Sequence, residues 1–248
     1  MLSILWTRMK QGHRTIAYPK GPAPELPARG LGRPRLYPAL CKEGCAACHE
    51  VCPTGAILAG RLDLGKCLFC GACANACSSK AVEFTREHRL AVRRREDMIV
   101  EGETYRLAEA LDAKARELFG HSLKLRQVSA GGCNACEADV NVLNTVGWDL
   151  GRFGIQFVAS PRHADGLLIT GPVPENMREA LLKTWAAVPS PKFVIAVGAC
   201  AISGGPYLGH PEVNGGCAKL VPVDLFIPGC PPAPITILDG LLRLLGRI

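Results

Sequence analysis

The second half of the chain alternates between short apolar stretches and longer amphipathic ones. Five stretches rich in Val, Ile and Leu predict strands, namely LKLRQVSA, FGIQFVAS, DGLLITG, KFVIAVGAC and VDLFIPG. Amphipathic patterns predict helices over residues 134–146, 174–187 and 234–245. Buried strands that alternate with helices predict an α/β fold, with a parallel sheet covered on both faces. In such a sheet the functional crevice lies beyond the carboxyl ends of the strands.

The first half of the chain is less regular. Residues 1–35 open with the amphipathic piece LSILWTRMK and continue into a stretch with six prolines, YPKGPAPELPARGLGRPRLYP. We interpret these residues as an extended arm on a neighbouring subunit or on the rest of this chain, with a flexible tail as the alternative. Apolar residues at helical spacing predict a further helix over residues 104–119, which Gly120 would end.

Cysteine carries the candidate chemistry of the first half. Eight of the thirteen cysteines fall in two runs, which are Cys41, Cys45, Cys48, Cys52 and Cys67, Cys70, Cys73, Cys77. Where two such runs hold two 4Fe-4S clusters, three thiolates of each run wrap one cluster and the fourth ligates the other. The predicted ligand sets are therefore Cys41, Cys45, Cys48, Cys77 and Cys67, Cys70, Cys73, Cys52. Zinc is the alternative, because paired Cys-x2-Cys runs also make four-thiolate zinc sites.

The two runs resemble the bacterial two-cluster ferredoxin. Cys52-Pro53 matches the Cys-Pro signature of that family, and residues 54–57, TGAI, match its spacer. Two features depart from the family, since three residues separate Cys41 from Cys45 where it has two, and Ser78 stands where a second proline is common. A disulfide framework is disfavoured, because nothing near Met1 looks like a signal peptide and a reducing cytoplasm is then expected.

Four further cysteines follow predicted strands of the second half. They are Cys133, Cys136, Cys200 and Cys230. Parallel strands bring their carboxyl ends to one edge of the sheet, so these thiols predict a second, independent metal site there. Neighbouring glycines would let the backbone approach a cluster and donate N–H groups to its sulfurs. A zinc site and four buried core cysteines are the alternatives.

The sequence around these four cysteines resembles a known family. GGCNACEADVNVL, RFGIQFVASPRHADGLLITGPV, PKFVIAVGACAISGG and PVDLFIPGCPPAPITILDGLL are similar to the small subunit of energy-converting nickel-iron hydrogenases of formate hydrogenlyase type. They are also similar to the homologous complex I subunit that carries the last cluster before quinone. The resemblance covers about residues 123–245. It implies a flavodoxin-like domain with a proximal 4Fe-4S cluster on Cys133, Cys136, Cys200 and Cys230. The complex I subunit has two adjacent cysteines at the first position, so the spacing of Cys133 and Cys136 favours hydrogenase.

The resemblance implies an electron-transfer role in a multi-subunit oxidoreductase. Three 4Fe-4S clusters would relay electrons to or from a hydrogenase-type large catalytic subunit, and no residue of this chain would be catalytic. Further electron-transfer and membrane subunits are implied as partners, which would hold the chain at the cytoplasmic face of the inner membrane. One alternative is a complex I-like or hydrogenase-related enzyme without nickel that reduces quinone or another acceptor. The other is a zinc-stabilised binding module.

We divide the chain into an arm (1–35), a small α+β two-cluster ferredoxin-like domain (36–84), a linker with a helix (85–122) and a small-subunit domain (123–248). The formal net charge of +7 would suit nucleic acid, but three oxidised clusters would each add about two negative charges. We expect no nucleic-acid binding, because the chain has no motif for it. The uncharged run over residues 193–211 is interrupted by Gly and Pro and predicts a strand and a loop, so we expect no direct membrane span.

Five other residues are of interest, and four of them have two possible interpretations. Cys217 fits no set of four, and we expect that it is not a ligand. Arg162 and His163 are expected near the proximal cluster, where they would tune its potential or relay a proton, or else form a structural pair. Glu137 and Asp139 are expected to cap the adjoining helix, with a position facing the partner's active site as the alternative.

Overall fold

The computed structural model describes residues 2–58, 60–102 and 104–248. Over these residues the β-strands, numbered in chain order, are β1 (Pro34–Leu36), β2 (Ile57–Leu58), β3 (Arg61–Asp63), β4 (Val82–Phe84), β5 (Ile99–Glu101), β6 (Leu123–Ser129), β7 (Ile155–Phe157), β8 (Gly166–Thr170), β9 (Phe193–Val197) and β10 (Leu225–Ile227). The α-helices are α1 (Leu2–Gln11), α2 (Ala47–Glu50), α3 (Ala72–Ala76), α4 (Ala113–Phe119), α5 (Ala135–Val142), α6 (Glu175–Ala187), α7 (Ala199–Ser203) and α8 (Pro234–Leu244).

Strands β6 to β10 form one five-stranded sheet. Their order is β10-β9-β8-β6-β7, and every neighbouring pair is parallel. All residues of the central strands β8 and β9 are buried. A strand buried on both faces has no solvent side, which is why these segments are continuous apolar runs rather than alternating ones. The predicted α/β fold is confirmed, and all five predicted strands form.

Helices cover both faces of this sheet. Leu167 of β8 lies in one hydrophobic core with Leu181 of α6, whereas the next residue, Leu168, lies in a second core with Val140 of α5 and Leu241 of α8. Successive side chains of a strand point to opposite faces, so the two cores lie on the two sides of the sheet. The arrangement of helices on both faces of the sheet follows from the apolar runs in its strands, which must be covered on both sides.

The cysteine-rich part packs directly on the sheet domain. Strand β1 pairs with β4, and β2, β3 and β5 form a three-stranded antiparallel sheet. The first hydrophobic core continues into this part, where it includes Ile57, Leu62 and Met98. The two parts therefore share one apolar core. Strand β5 of the three-stranded sheet lies within residues 85–122, which the sequence analysis assigns to a linker.

The proline-rich residues that precede β1 lie along the rest of this chain. The Ile16 N–H donates to the Gly147 carbonyl at 2.9 Å. The Tyr18 hydroxyl donates to the buried carboxylate of Asp239 at 2.7 Å. Strand β1 then pairs with β4 in register with Val82 to Phe84. By contrast, every residue of helix α1 is exposed.

The helix predicted over residues 104–119 is half as long in the structure. Only its second half, α4, is helical, because the N–H groups of Ala108 and Leu111 donate to the carbonyls of Ala91 and Leu244 at 2.7 and 2.9 Å. These bonds hold the preceding residues extended. Asp112 then caps α4 by accepting a hydrogen bond from the backbone N–H three residues on, at 2.9 Å.

The other predicted helices differ less. Helices α6 and α8 match their predicted ranges to within one residue. Helix α5 ends early, because the N–H groups of Leu143 and Asn144 bond to carbonyls three residues back and tighten the chain into turns. Residues 193–211 form β9, the short helix α7 and a loop. In the part of the chain that the structure describes, the helices are too short or too polar to span a bilayer.

Candidate metal centres

The twelve cysteines predicted as ligands form three sets of four. Set 1 comprises Cys41, Cys45, Cys48 and Cys77; set 2 comprises Cys52, Cys67, Cys70 and Cys73; set 3 comprises Cys133, Cys136, Cys200 and Cys230. All of these cysteines are free thiols. Four soft thiolate donors in one place suit an iron-sulfur cluster or zinc. The structure shows which members of each set lie together.

Set 1 joins cysteines from both runs. Cys48 lies in α2, and Cys77 directly follows α3. Burial raises the pKa of Cys48, and the thiolate charges of Cys41 and Cys77 raise it further. A like charge has this effect only when it is near. Cys77 therefore lies beside cysteines of the first run, and the exposed side chains of Cys41 and Cys45 put one side of the set at the surface.

Set 2 is more deeply buried. Burial raises the pKa of Cys67 to about 12, and the thiolate charges of Cys73, Cys52 and Cys70 act in the same direction. All four cysteines line one cavity, which the apolar side chain of Leu62 also borders. Cys52, which belongs to the first run, thus lies with three cysteines of the second run. This apolar surrounding favours the neutral thiol, so a metal that binds here must displace a proton from it.

The two crossing cysteines, Cys52 and Cys77, have equivalent surroundings. The Cys52 sulfur accepts a hydrogen bond from the Ala56 N–H at 3.1 Å, and the Cys77 sulfur accepts one from the Ala81 N–H at 3.2 Å. Burial alone would raise the pKa of Cys52, but hydrogen bonds from backbone N–H groups lower it. The Ser79 hydroxyl and backbone N–H groups lower the pKa of Cys77. Both sites therefore favour the thiolate, which is the form that binds a metal.

Set 3 lies at the carboxyl edge of the large sheet. Cys133 and Cys136 follow β6, Cys200 lies in α7 directly after β9, and Cys230 follows β10. Burial raises the pKa of Cys136, and the thiolate charges of Cys200, Cys230 and Cys133 contribute. Burial also raises the pKa of Cys200 to about 11, with Cys230 and Cys133 again adding to it. The parallel register therefore brings all four thiols together at this edge.

Two glycines make room for the sulfurs of set 3. A Cβ added at Gly198 would lie 2.5 Å from the Cys136 sulfur, and one added at Gly205 would lie 2.7 Å from the Cys200 sulfur. The φ angles of the two glycines are +89° and +56°, in the region that favours glycine. The backbone thus forms a close cradle around the thiols that any side chain would fill. This cradle fits a group bound by the sulfurs.

Sets 2 and 3 adjoin each other. Burial raises the pKa of Cys230, and the thiolates of Cys133 and Cys70 raise it further. Cys70 is thus near Cys230 although 159 residues separate them in the chain. Phe69 and Cys230 also line a common cleft of about 350 Å³. Set 2 thus adjoins set 3 at the sheet edge, and each of the three sets has at least one exposed cysteine.

Glu137 does not cap a helix, contrary to the expectation from sequence. It is 5% exposed and accepts hydrogen bonds from the hydroxyls of Ser129 and Thr170, each at 2.6 Å. Burial alone would raise its pKa, but these hydroxyls lower it. The carboxylate therefore ties α5 to the carboxyl ends of β6 and β8, next to set 3. Asp139 is half-buried and borders the cleft beside Cys230.

The remaining residues of interest lie apart from the sets. Cys217 is fully buried in the first hydrophobic core, and burial raises its pKa to about 12. Arg162 and His163 are exposed in a short 3-10 turn that packs beside β6 and α6. The register aligns the next strand, β8, with the second half of β6 from Leu125 onward. That turn therefore lies towards the amino ends of the strands, away from set 3, so the expected position near the proximal cluster does not hold.

Among the residues that the structure describes, no group of three or more His, Cys, Asp and Glu side chains is placed so that it could hold a metal ion. The assignment of these cysteines as metal ligands therefore stays a prediction.

Comparison with known proteins identifies the family. The family model for the NADH ubiquinone oxidoreductase 20 Kd subunit matches residues 133–244. The chain is 39% identical over 136 residues to the probable membrane-bound hydrogenase subunit mbhJ of Pyrococcus furiosus, covering 55% of this chain and 81% of that protein. It is 48% identical over 139 residues to formate hydrogenlyase subunit 7 of Escherichia coli, covering 56% and 54%. It is 40% identical over 118 residues to an NADH-quinone oxidoreductase subunit of Clostridium beijerinckii, covering 47% and 70%.

These similarities define a class of oxidoreductase subunits. The chain belongs to the NADH ubiquinone oxidoreductase 20 Kd subunit family, whose relatives include subunits of hydrogenases. The prediction of an oxidoreductase subunit related to hydrogenase and complex I is confirmed. The family match begins at Cys133, so the two cysteine runs of sets 1 and 2 lie outside it. The chain spans about half of the formate hydrogenlyase subunit that it matches.

Proposed function

We propose that this chain is the iron-sulfur electron-transfer subunit of a multi-subunit nickel-iron hydrogenase, with one 4Fe-4S cluster on each of the three sets. When bound, such clusters accept and release single electrons. The placement of sets 2 and 3 carries the proposal, above all the common cleft lined by Cys230 and by Phe69, the neighbour of Cys70. An isolated structural zinc site would have no need of a neighbouring thiolate set.

The chain's own residues have defined tasks in this function. The exposed thiols of set 1 face the surface, where an electron donor or acceptor can dock. Hydrogen bonds from the N–H groups of Ala56 and Ala81 stabilise negative charge on Cys52 and Cys77, and such bonds tune reduction potentials. The shared apolar core joins the part of the chain that carries set 2 to the sheet domain that carries set 3. Set 3 is then the last site before the catalytic partner.

A hydrogenase is preferred to a quinone-reducing relative on the local sequence. Cys133-Asn134-Ala135-Cys136 has the hydrogenase-like spacing, without a second adjacent cysteine. The proposed partners are a large catalytic subunit with nickel and further electron-transfer and membrane subunits. The proposed location is the cytoplasmic face of the inner membrane. An enzyme without nickel that reduces quinone or another acceptor is the second candidate, because the nickel ligands belong to the partner.

Metal content of the intact complex tests the proposal. The complex should be purified without oxygen through a tag on this chain, and its iron, nickel and zinc should be measured together with hydrogen-dependent dye reduction. We expect about twelve iron atoms per chain, from three four-iron clusters, with nickel and hydrogenase activity. Iron without nickel would move the assignment to the quinone-linked relative. Zinc in place of iron would refute both and leave the zinc-stabilised module.

A further inference from the structure

Helix α1 is a regular element without cover from the rest of the chain. Its apolar side chains Leu2, Leu5, Trp6 and Met9 are 60–84% exposed. They follow the spacing i, i+3, i+4, i+7, which puts them on one face of the helix. The other apolar residue, Ile4, lies outside this stripe. The stripe is therefore a continuous apolar face of one helix, turned to solvent.

The charges of the same segment have a single sign. Between residues 2 and 24 the charged side chains are Arg8, Lys10, Arg14 and Lys20, and the first acidic residue is Glu25. The Lys10 ammonium lies 4.5 Å from the centroid of the Trp6 ring. A long basic side chain whose stem lies over an aromatic ring can keep its charge at a polar surface while the ring enters an apolar one. The segment thus has one apolar face, and all of its charged side chains are basic.

The helix is also a discrete unit with a short tether. Gly12 (φ +60°) ends it, and the Gly12 N–H donates to the Arg8 carbonyl at 3.1 Å. Among the described residues, hydrogen bonds from this segment to the body begin at Thr15, whose hydroxyl donates to the Val146 carbonyl at 3.1 Å. The Val146 side chain is itself 74% exposed. The tether therefore leaves the body beside another exposed apolar side chain.

We propose that α1 binds in the interface of an anionic lipid bilayer, with Leu2, Leu5, Trp6 and Met9 in the acyl boundary and Arg8 and Lys10 at the headgroups. Short helices with Trp and Leu on one face and Lys or Arg on the other bind such surfaces in the plane of the interface. Lipid phosphates complement the all-basic charge. The α1 helix of a second copy of this chain does not complement this charge, because it carries the same positive charge. This attachment is independent of the clusters and of the catalytic partner.

Flotation of the full, anaerobically purified chain with vesicles tests the proposal. One vesicle type is phosphatidylcholine alone, and the other adds phosphatidylglycerol. The key variant is Trp6→Gln with Met9→Gln, which removes two side chains from the apolar face. Its control is Ser3→Gln with Thr7→Gln, which introduces two glutamines on the polar face and removes no apolar side chain. Arg8→Gln with Lys10→Gln tests the charge.

We expect the wild type and the polar-face control to float with anionic vesicles and the apolar-face variant to lose at least about tenfold in partitioning. The charge variant should bind more weakly, and salt should weaken wild-type binding, because the Debye length shrinks to about 3 Å at 1 M. Equal binding by the apolar-face and polar-face variants, or no binding of the wild type to vesicles, would overturn the proposal. So would self-association that the apolar-face variant abolishes. Iron content of the same samples separates this result from a failure of the cluster assignment.

Discussion

Substitution of Gly198 by alanine tests set 3, because the structure gives the distance by which the new side chain would clash with a predicted ligand. The new Cβ would lie 2.5 Å from the Cys136 sulfur, so the two atoms must separate by about 0.9 Å more to reach an ordinary contact of 3.4 Å. A ligand constellation tolerates displacements of about 0.5 Å. The φ and ψ angles of +89° and 155° lie in a region that essentially only glycine adopts, so a side chain there adds a backbone cost of about 1–3 kcal/mol. Gly198→Ala should therefore lose both stability and the metal of set 3.

Gly209 offers a control for the free-energy cost of a positive φ angle without a steric clash. Its φ angle is +87°, yet a Cβ there would meet nothing within 4 Å. Gly209→Ala should therefore lower the unfolding temperature by about 2–8 °C, as 1–2 kcal/mol does in a chain of this size, and leave the metal intact. Iron per chain and the unfolding temperature of both variants should be measured side by side. We expect Gly198→Ala to lose about four of about twelve iron atoms. If both variants keep equal iron, Cys136 does not hold a cluster.

Three further predictions concern single side chains. Cys217→Ala should keep all iron, because the thiol lies in the apolar core, whereas Cys230→Ala should lose about a third of the iron; equal losses would contradict the sets. Tyr18→Phe should destabilise the chain by about 1.5–3 kcal/mol, measured by denaturant unfolding, since it removes a hydrogen bond to the buried Asp239 carboxylate. Asp112→Ala should cost about 1 kcal/mol through loss of the cap of α4, and Asp112→Asn should restore most of it.

The sheet could be predicted from sequence, whereas the short strands could not. Segments such as Phe193–Val197 are continuous apolar runs, a pattern that full burial on both faces imposes. Strands β1 to β5 have only two or three residues each. Their pairing depends on contacts distant in sequence, such as β1 with β4, which no local periodicity records. For the same reason the start of α4 was predicted too early, because Ala108 and Leu111 bond to distant carbonyls.

The candidate sites show the same division between local and distant signals. The spacing of each cysteine run predicts ligand sets, because a tight turn constrains residues three or four apart, and those sets stay a prediction. The role of Glu137 was missed, since an acidic residue at a helix start also suits a cap. Only the register of β6 and β8 puts the Ser129 and Thr170 hydroxyls within reach of that carboxylate. The sequence alone does not give this register. With the register known, the two strand-end hydroxyls beside Glu137 would have indicated its role.

The approach of Cys70 to Cys230 depends on packing that the sequence does not display. The first hydrophobic core runs from Leu167 and Ile169 of the sheet to Ile57 and Leu62 of the cysteine-rich part. A core that crosses between two parts resists their separation, because opening it would expose apolar area at about 25 cal/mol per Å². The distance between sets 2 and 3 is therefore a property of the fold rather than of a mobile encounter. The apolar core thus fixes the part of the chain that carries set 2 against the sheet domain that carries set 3.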